Sequence, residues 1–283
     1  LNSPLRITKS KVRNLLPSRT KASNKNDGGK VLVVGGGKGL YGAGILTALA
    51  ATRSGAGYTH LMTDLTLFPW LKFPDFILHP IKISELKNKE TFVIAIGPGL
   101  GTEDKKKKLI EFLLKKKYQK VILDADALTL LSKMKVKKLP ESWILTPHEG
   151  ELARLLGKTS AYIKANRLSS LEAAEKKYGC TILLKGHETL ITNSVKKIYS
   201  IKEGTPALAK AGTGDALLGI VAAMYAQNLS PLDAAIVGSY THGLCSQIWN
   251  KKSYDHLSFR PIDLIDLLPL SLRFIRNKTA KNS

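Results

Sequence analysis

Short apolar runs that stop abruptly at glycine-rich or charged loops, and then give way to helical patterns, constrain this chain more than any other feature. Val31 to Val34 runs into Gly35-Gly36-Gly37-Lys38-Gly39-Leu40-Tyr41-Gly42-Ala43-Gly44, and Phe92 to Ile96 into Gly97-Pro98-Gly99-Leu100-Gly101. Lys120 to Leu123 ends in Asp124-Ala125-Asp126-Ala127-Leu128, and Ser142 to Leu145 in Thr146-Pro147-His148-Glu149-Gly150-Glu151. Cys180 to Leu184 ends in Lys185-Gly186-His187-Glu188-Thr189. Runs this short, without polar alternation, are strands buried on both faces. With helical stretches between them they predict an α/β fold, a three-layer α/β/α sandwich with a mostly parallel central sheet. Ligands of such sheets bind beyond the carboxyl ends of the strands. The loops at 35–44, 97–101, 124–128, 146–151, 185–189 and 209–215 all fall on that edge, which predicts one continuous cleft.

The other elements follow the same logic. Helices are expected over 43–54, 103–116 (with Thr102 as its cap), 147–156 and 161–178, and further strands at Tyr58 to Thr63 and, as an edge, Phe76 to His79. A hairpin is expected from Leu190-Ile191-Thr192 through a turn at Asn193-Ser194 to Lys196–Ser200. Apolar helices follow at Ala216 to Ala226, Pro231 to Trp249 and Pro261 to Ile275. Residues 1–29 read as a basic N-terminal arm in which Asp27 is the one acid, with a short helix from Ile7 to Leu16 and a turn at Asp27-Gly28-Gly29. An ordered arm is expected rather than a removed signal, because no secretory apolar core is present. Residues 30–276 form a single domain, and 277–283 a polar tail.

Composition excludes some classes. The net charge is +22, from 44 Lys and Arg against 22 Asp and Glu. The lysines are spread over solvent-facing runs such as Lys105 to Lys108 and Lys115 to Lys117, without interleaved aromatic residues. That argues against a specific nucleic-acid partner and for attraction of anionic substrates. No stretch is long and apolar enough for a transmembrane helix. Cys180 and Cys245 are expected as buried free thiols, which fits a reducing, cytoplasmic location.

The loops carry the chemistry. Gly212-Thr213-Gly214-Asp215 precedes an apolar helix. One reading is an anion hole, with Gly212, Thr213 and Gly214 offering backbone N–H groups to a phosphate and Asp215 acting as general base. The other is that Thr213 or Asp215 only caps the helix. Asp124 and Asp126 either hold Mg²⁺ through water, or serve as a cap and a lysine partner. Thr146-x-x-Glu149 matches a capping box with Pro147 at the first helical position. That leaves His148 in the first turn, free to hydrogen-bond a ligand. Lys185 is placed to counter a phosphate, Gly186 to permit close backbone approach, and Thr189 to donate a hydroxyl. Gly37-x-Gly39-x-x-Gly42, with Asp64 about 20 residues on, matches a dinucleotide fingerprint and keeps a dehydrogenase alternative open. The histidines show no metal spacing, so no metal-ligating residues are assigned.

Taken in order, these six motifs resemble the ADP- or ATP-dependent NAD(P)H-hydrate dehydratases of the ribokinase-like superfamily, over essentially the whole chain. The resemblance implies restoration of NADH or NADPH from the (6S)-hydrate, with ADP cleaved to AMP and phosphate. It implies ADP (or ATP) as co-substrate, Mg²⁺, and a homo-oligomer, a tetramer. Ala43, Gly99, Gly101, His148 and Asp215 are implied as hydrate contacts. Lys185, Gly186, His187, Glu188, Thr189 and Gly214 are implied as nucleotide contacts. Lys210 stands where the family's loop is expected to carry a glycine. A ribokinase-like kinase of a vitamin-precursor alcohol is the alternative, using the same base and anion hole.

Overall fold

The computed structural model describes residues 3–64, 75–193 and 197–277. In chain order the elements are β1 (Leu5–Arg6), α1 (Lys9–Leu15), β2 (Lys30–Val34), α2 (Tyr41–Arg53), β3 (Tyr58–Thr63), β4 (Ile77–Pro80) and α3 (Ile83–Leu86). Next come β5 (Val93–Ile96), α4 (Asp104–Lys115), β6 (Val121–Leu123), α5 (Ala125–Ser132), β7 (Ile144–Leu145), α6 (Glu149–Leu156), α7 (Ser160–Ala165) and α8 (Arg167–Tyr178). The chain ends with β8 (Thr181–Leu184), β9 (Thr189–Thr192), β10 (Tyr199–Ile201), α9 (Thr213–Ala226), α10 (Pro231–Lys251) and α11 (Pro261–Arg276).

The strands form one sheet in the order β1-β10-β9-β8-β7-β6-β5-β2-β3-β4. Neighbours are parallel except where β9 meets β8 and β10. Alternate residues of each strand point to opposite faces, and both faces are covered. Val31, Val33, Val93, Ala95, Ile122, Ile144 and Leu183 pack against α1, α2, α9, α10 and α11. Leu32, Val34, Ile94, Ile96, Leu123, Leu145 and Ile182 pack against α4, α5, α6 and α8. This explains why the strands read as unbroken apolar runs.

Strand order reverses between β2 and β5, which opens a crevice at their carboxyl ends. The two loops that leave there are laced together. Gly36 donates its N–H to the Pro98 carbonyl at 2.8 Å, and Gly37 to that of Gly99 at 2.6 Å.

Some expectations change in detail. Leu5–Arg6 adds a parallel edge strand beside β10, and Ile7, Val12 and Leu16 of the arm are buried in the core shared with α9 and α10. The segment 161–178 is two helices broken at Asn166, whose side-chain amide donates to the Tyr162 carbonyl at 3.0 Å and so competes with continuation of the helix. Helix α4 starts after Glu103, and no side chain caps it, Thr102 included. The turn position Ser194, the strand start Lys196 and the tail residues 278–283 lie outside the described residues.

Helix α9 is wedged between α2 and α10. A Cβ on Gly219 would overlap the Thr47 carbonyl and lie 2.8 Å from the Ala50 Cβ. Thr47 adds a hydroxyl 2.9 Å from the Ala43 carbonyl and 3.0 Å from the Asp215 carbonyl. Gly219→Ala should therefore lower stability by about 1–3 kcal/mol through overpacking, although alanine is the better helix former. Chemical denaturation reads this as a lower midpoint, and an unchanged or raised midpoint would contradict the close α2–α9 contact.

Candidate functional site

Helix α9 begins without a side-chain cap. Its N-cap is Gly212, left-handed at φ 94, where a side chain would be strained and would also meet Pro261 and Leu46. Neither Thr213 nor Asp215 performs the capping role. Thr213 is turned inward: its hydroxyl lies 2.8 Å from the carbonyls of both Leu208 and Lys210, and its N–H donates to Lys210 at 3.3 Å. An uncapped first turn, with a partial positive charge, leaves N–H groups to a ligand. Asp215 sits in that turn, half-buried.

Three carboxylates, those of Asp124, Glu151 and Asp215, act on one lysine beside it. Lys185, at the end of β8, donates to Asp124 at 2.7 Å and stands 3.6 Å from Glu151. A Cβ on Gly214 would lie 3.8 Å from its Nζ, so the lysine also faces the start of α9. Burial alone would lower the Lys185 ammonium, but the carboxylates of Asp124, Glu151 and Asp215 outweigh it and hold the pKa above its ordinary value. Asp215 is pushed up to about 6, first by burial and then by the Asp124 carboxylate, with Asp126 and Glu151 adding to the repulsion and Lys185 opposing it. Asp124 is thus a lysine partner. Asp126 accepts the Gly101 N–H at 2.8 Å and fastens the 97–101 loop, rather than capping α5.

The capping box at α6 is not the one the spacing suggests. The N-cap is His148, whose Nδ1 accepts the N–H groups of Gly150 at 2.9 Å and Glu151 at 3.3 Å, while Glu151 accepts the His148 N–H at 2.7 Å. The register moves by two because residues 146 and 147 are held to the sheet edge. Thr146 donates its N–H to Leu123, and Pro147 accepts that of Lys185 at 2.8 Å. Glu149 pairs instead with Arg167. Because Nδ1 accepts, Nε2 carries the ring proton of the neutral imidazole. The side chain remains about half exposed.

The other expected residues fall into two groups. Ala43 and Gly99 meet: a Cβ on Gly99, at φ 54, would lie 3.3 Å from the Ala43 Cβ. Lys185, Gly186, His187, Thr189, Thr213 and Gly214 line a cavity of about 430 Å³ between the β8–β10 edge and helices α9 and α10. The Glu188 side chain points toward Lys202, at 3.5 Å. His242 also lines this cavity and was not singled out as a site residue. Its Nε2–H donates to the Thr213 carbonyl at 3.0 Å, and burial lowers its pKa to about 4. Asp64 is paired at 2.8 Å with the buried Lys106, which removes the ribose partner that a dehydrogenase would need. Among the described residues, no group of three or more His, Cys, Asp or Glu side chains is arranged to hold a metal ion.

A family model described as NAD(P)H-hydrate dehydratase matches residues 31–270. The chain belongs to this family. It is 34% identical over 239 residues to the ADP-dependent (S)-NAD(P)H-hydrate dehydratase of Neisseria meningitidis, a match covering 82% of this chain and 80% of the relative. It is 37% identical over 237 residues to the bifunctional NAD(P)H-hydrate repair enzyme of Coxiella burnetii, covering 82% of this chain but 48% of that one. The chain thus spans about half the length of the bifunctional relatives. The structure superposes on the ADP/ATP-dependent NAD(P)H-hydrate dehydratase of Bacillus subtilis, co-crystallized with ATP/Mg²⁺. The TM-score is 0.87 at 28% identity, covering 97% of this chain and 99% of that one. This likeness carries the ribokinase-like, three-layer fold.

The carboxylate cluster is directly testable. Asp124→Asn removes a repelling charge and frees Lys185, so the Asp215 pKa should fall from about 6 toward the ordinary carboxylate range. Carboxyl-carbon NMR titration reads the shift, and an unmoved Asp215 would contradict the coupling.

Proposed function

We propose that the chain is a nucleotide-dependent (6S)-NAD(P)H-hydrate dehydratase, using ADP or ATP to restore NADH or NADPH. The observation that carries this is the position of Asp215, a carboxylate with a raised pKa in the uncapped first turn of α9, next to Gly214, which lines the cavity shared with the Lys185–Thr189 loop. The family and the named activities of the Neisseria and Bacillus relatives support the same reading.

The chemistry follows from the groups present. Hydroxide is a poor leaving group and phosphate a good one. The hydrate's hydroxyl oxygen attacks the terminal phosphorus of ADP, the bond from that phosphorus to the bridging oxygen breaks, and AMP leaves. Asp215 takes the hydroxyl proton as the new bond forms. The first-turn N–H groups, those of Gly214 and Asp215 foremost, face the charge on the transferring group, and positioning with electrostatics supplies most of the rate enhancement. The ring nitrogen's electron pair then expels phosphate, and loss of a proton from the adjacent ring carbon restores the double bond. Ala43, Gly99, Gly101 and His148 form the hydrate side of the cleft, with the His148 Nε2–H as a donor. Lys185, Gly186, His187, Glu188, Thr189 and Gly214 belong to the nucleotide side, Glu188 through its backbone. Gly212 contributes the left-handed turn that presents α9.

One lysine against four carboxylates leaves this edge net negative, which repels a bare polyphosphate. That donor set fits Mg²⁺ arriving with the nucleotide, held by phosphate oxygens, water and one or two of Asp124, Asp126 and Glu151. Bound there, the cation would neutralise phosphate charge. Exposed Ile77 and Leu78 on the edge strand β4 support assembly into a homo-oligomer, expected as a tetramer. Buried, free Cys180 and Cys245 support a reducing, cytoplasmic setting, and no helix among the described residues is long and apolar enough to cross a membrane.

Recovery of reduced-nicotinamide absorbance from the hydrate, run with ADP, with ATP and with neither, tests the activity. Turnover is expected only with nucleotide, and a stable phosphorylated product would favour a kinase instead. Asp215→Asn should cut kcat by at least about 100-fold while hydrate binding persists. The base works ionised, so in the parent kcat/KM should fall about tenfold per pH unit below about 6 and level off above it. Near-normal turnover of the Asn variant, or a flat acid limb, would sink the assignment.

A further inference from the structure

Arg167 opens α8 and reaches the edge of the cleft, with its side chain only 19% exposed. Its guanidinium is divided between two segments. Nη2 donates to the Glu188 carbonyl at 2.6 Å, and Nη1 reaches the Lys185 carbonyl at 3.5 Å. Those carbonyls lie in the loop between β8 and β9, beyond the last ladder pair, Leu184 with Leu190. Nη1 also forms the ion pair with Glu149, the first residue of α6 and the neighbour of His148. A Cβ on Gly186 would overlap the guanidinium, so the glycine is what lets the fork lie against the loop. One planar cation therefore joins the nucleotide side of the cleft to the helix start that presents His148.

We propose that Arg167 is a positioning residue that sets the shape of the Lys185–Thr189 loop from behind and ties it to the start of α6. The proposal rests on the reading of that loop as the nucleotide loop. Arg167 does not touch the reacting atoms, so its contribution belongs to nucleotide binding and not to the chemical step. Three acceptors in fixed directions call for a rigid fork of donors, which a lysine's single ammonium cannot reproduce. Glu149 keeps the fork in plane, so the two side chains act as one unit.

Steady-state kinetics on the intact chain with Arg167→Lys, Glu149→Gln and the double variant provide the test, with thermal melting to confirm folding. Arg167→Lys should raise the KM for ADP about tenfold or more, the cost of losing a charge-assisted hydrogen bond, with kcat within about threefold of the parent. Glu149→Gln should raise it several-fold, and the double variant should be no worse than Arg167→Lys alone. An Arg167→Lys enzyme whose KM for ADP stays within about twofold of the parent overturns the proposal, as does a fall in kcat at constant KM. If Arg167→Lys does not fold, Glu149→Gln decides the matter: an unchanged KM for ADP overturns it. A parent chain that neither binds nor uses ADP or ATP removes the functional reading, and this proposal with it. A parent that does, beside unaltered variants, removes this proposal alone.

Discussion

The ion pair between Lys185 and Asp124, closed by Glu151, is the contact on which the cleft depends. It brings together the ends of β6 and β8 and the starts of α6 and α9, four places in the chain that no local rule connects. A pair this enclosed contributes modestly to stability once desolvation is counted. Its larger consequence is electrostatic. The cluster holds more carboxylates than cations, so the next acid to enter it, Asp215, gives up its proton reluctantly. A carboxylate that titrates near 6 is ionised at neutral pH yet basic enough to take a hydroxyl's proton as that hydroxyl becomes a nucleophile. The same excess of negative charge would oppose a bare phosphate and favour one that arrives with a cation.

Rigid elements hold this arrangement. Asp215 lies in the first turn of a helix whose glycine seam presses on α2, and the Thr47 hydroxyl sits between the carbonyls of Ala43 and Asp215. Ala43 in turn abuts Gly99 across the β2–β5 crevice. The Ala43, Gly99 and Asp215 side of the cleft is therefore built on helix–helix and loop–loop contacts with little room to adjust. The opposite side, Lys185 to Glu188, rests on a loop beyond the β8–β9 ladder. Arg167 donates to its Glu188 carbonyl from behind.

The strands were legible because each is buried on both faces and needs an unbroken apolar run. Their order in the sheet gave every motif a common edge. The two-residue strand Leu5–Arg6 was not legible, because both residues are exposed and it exists only through pairing with β10. Asp215 stood out as an acid beside a glycine-rich helix start. The local rule misplaced the cap of α6, since a Thr-x-x-Glu spacing matched a capping box, whereas backbone bonds to β6 and β8 delay the helix to Glu149. His242 and Arg167 carried no local signal at all. Their partners lie 29 residues away at Thr213 and 18 or 21 away at Glu149, Lys185 and Glu188. Only the folded chain puts a histidine of an apolar helix on the cavity wall.

The central claim is that the hydrate's own hydroxyl oxygen becomes a phosphate oxygen at the start of α9. A hydrate labelled with heavy oxygen at that hydroxyl, turned over with ADP, tests it most directly. Phosphorus NMR of the released phosphate should show the isotope-shifted signal, with one labelled oxygen per phosphate formed. Unlabelled phosphate, with the heavy oxygen recovered in water, would mean that nucleotide cleavage and dehydration are separate events and would contradict the account.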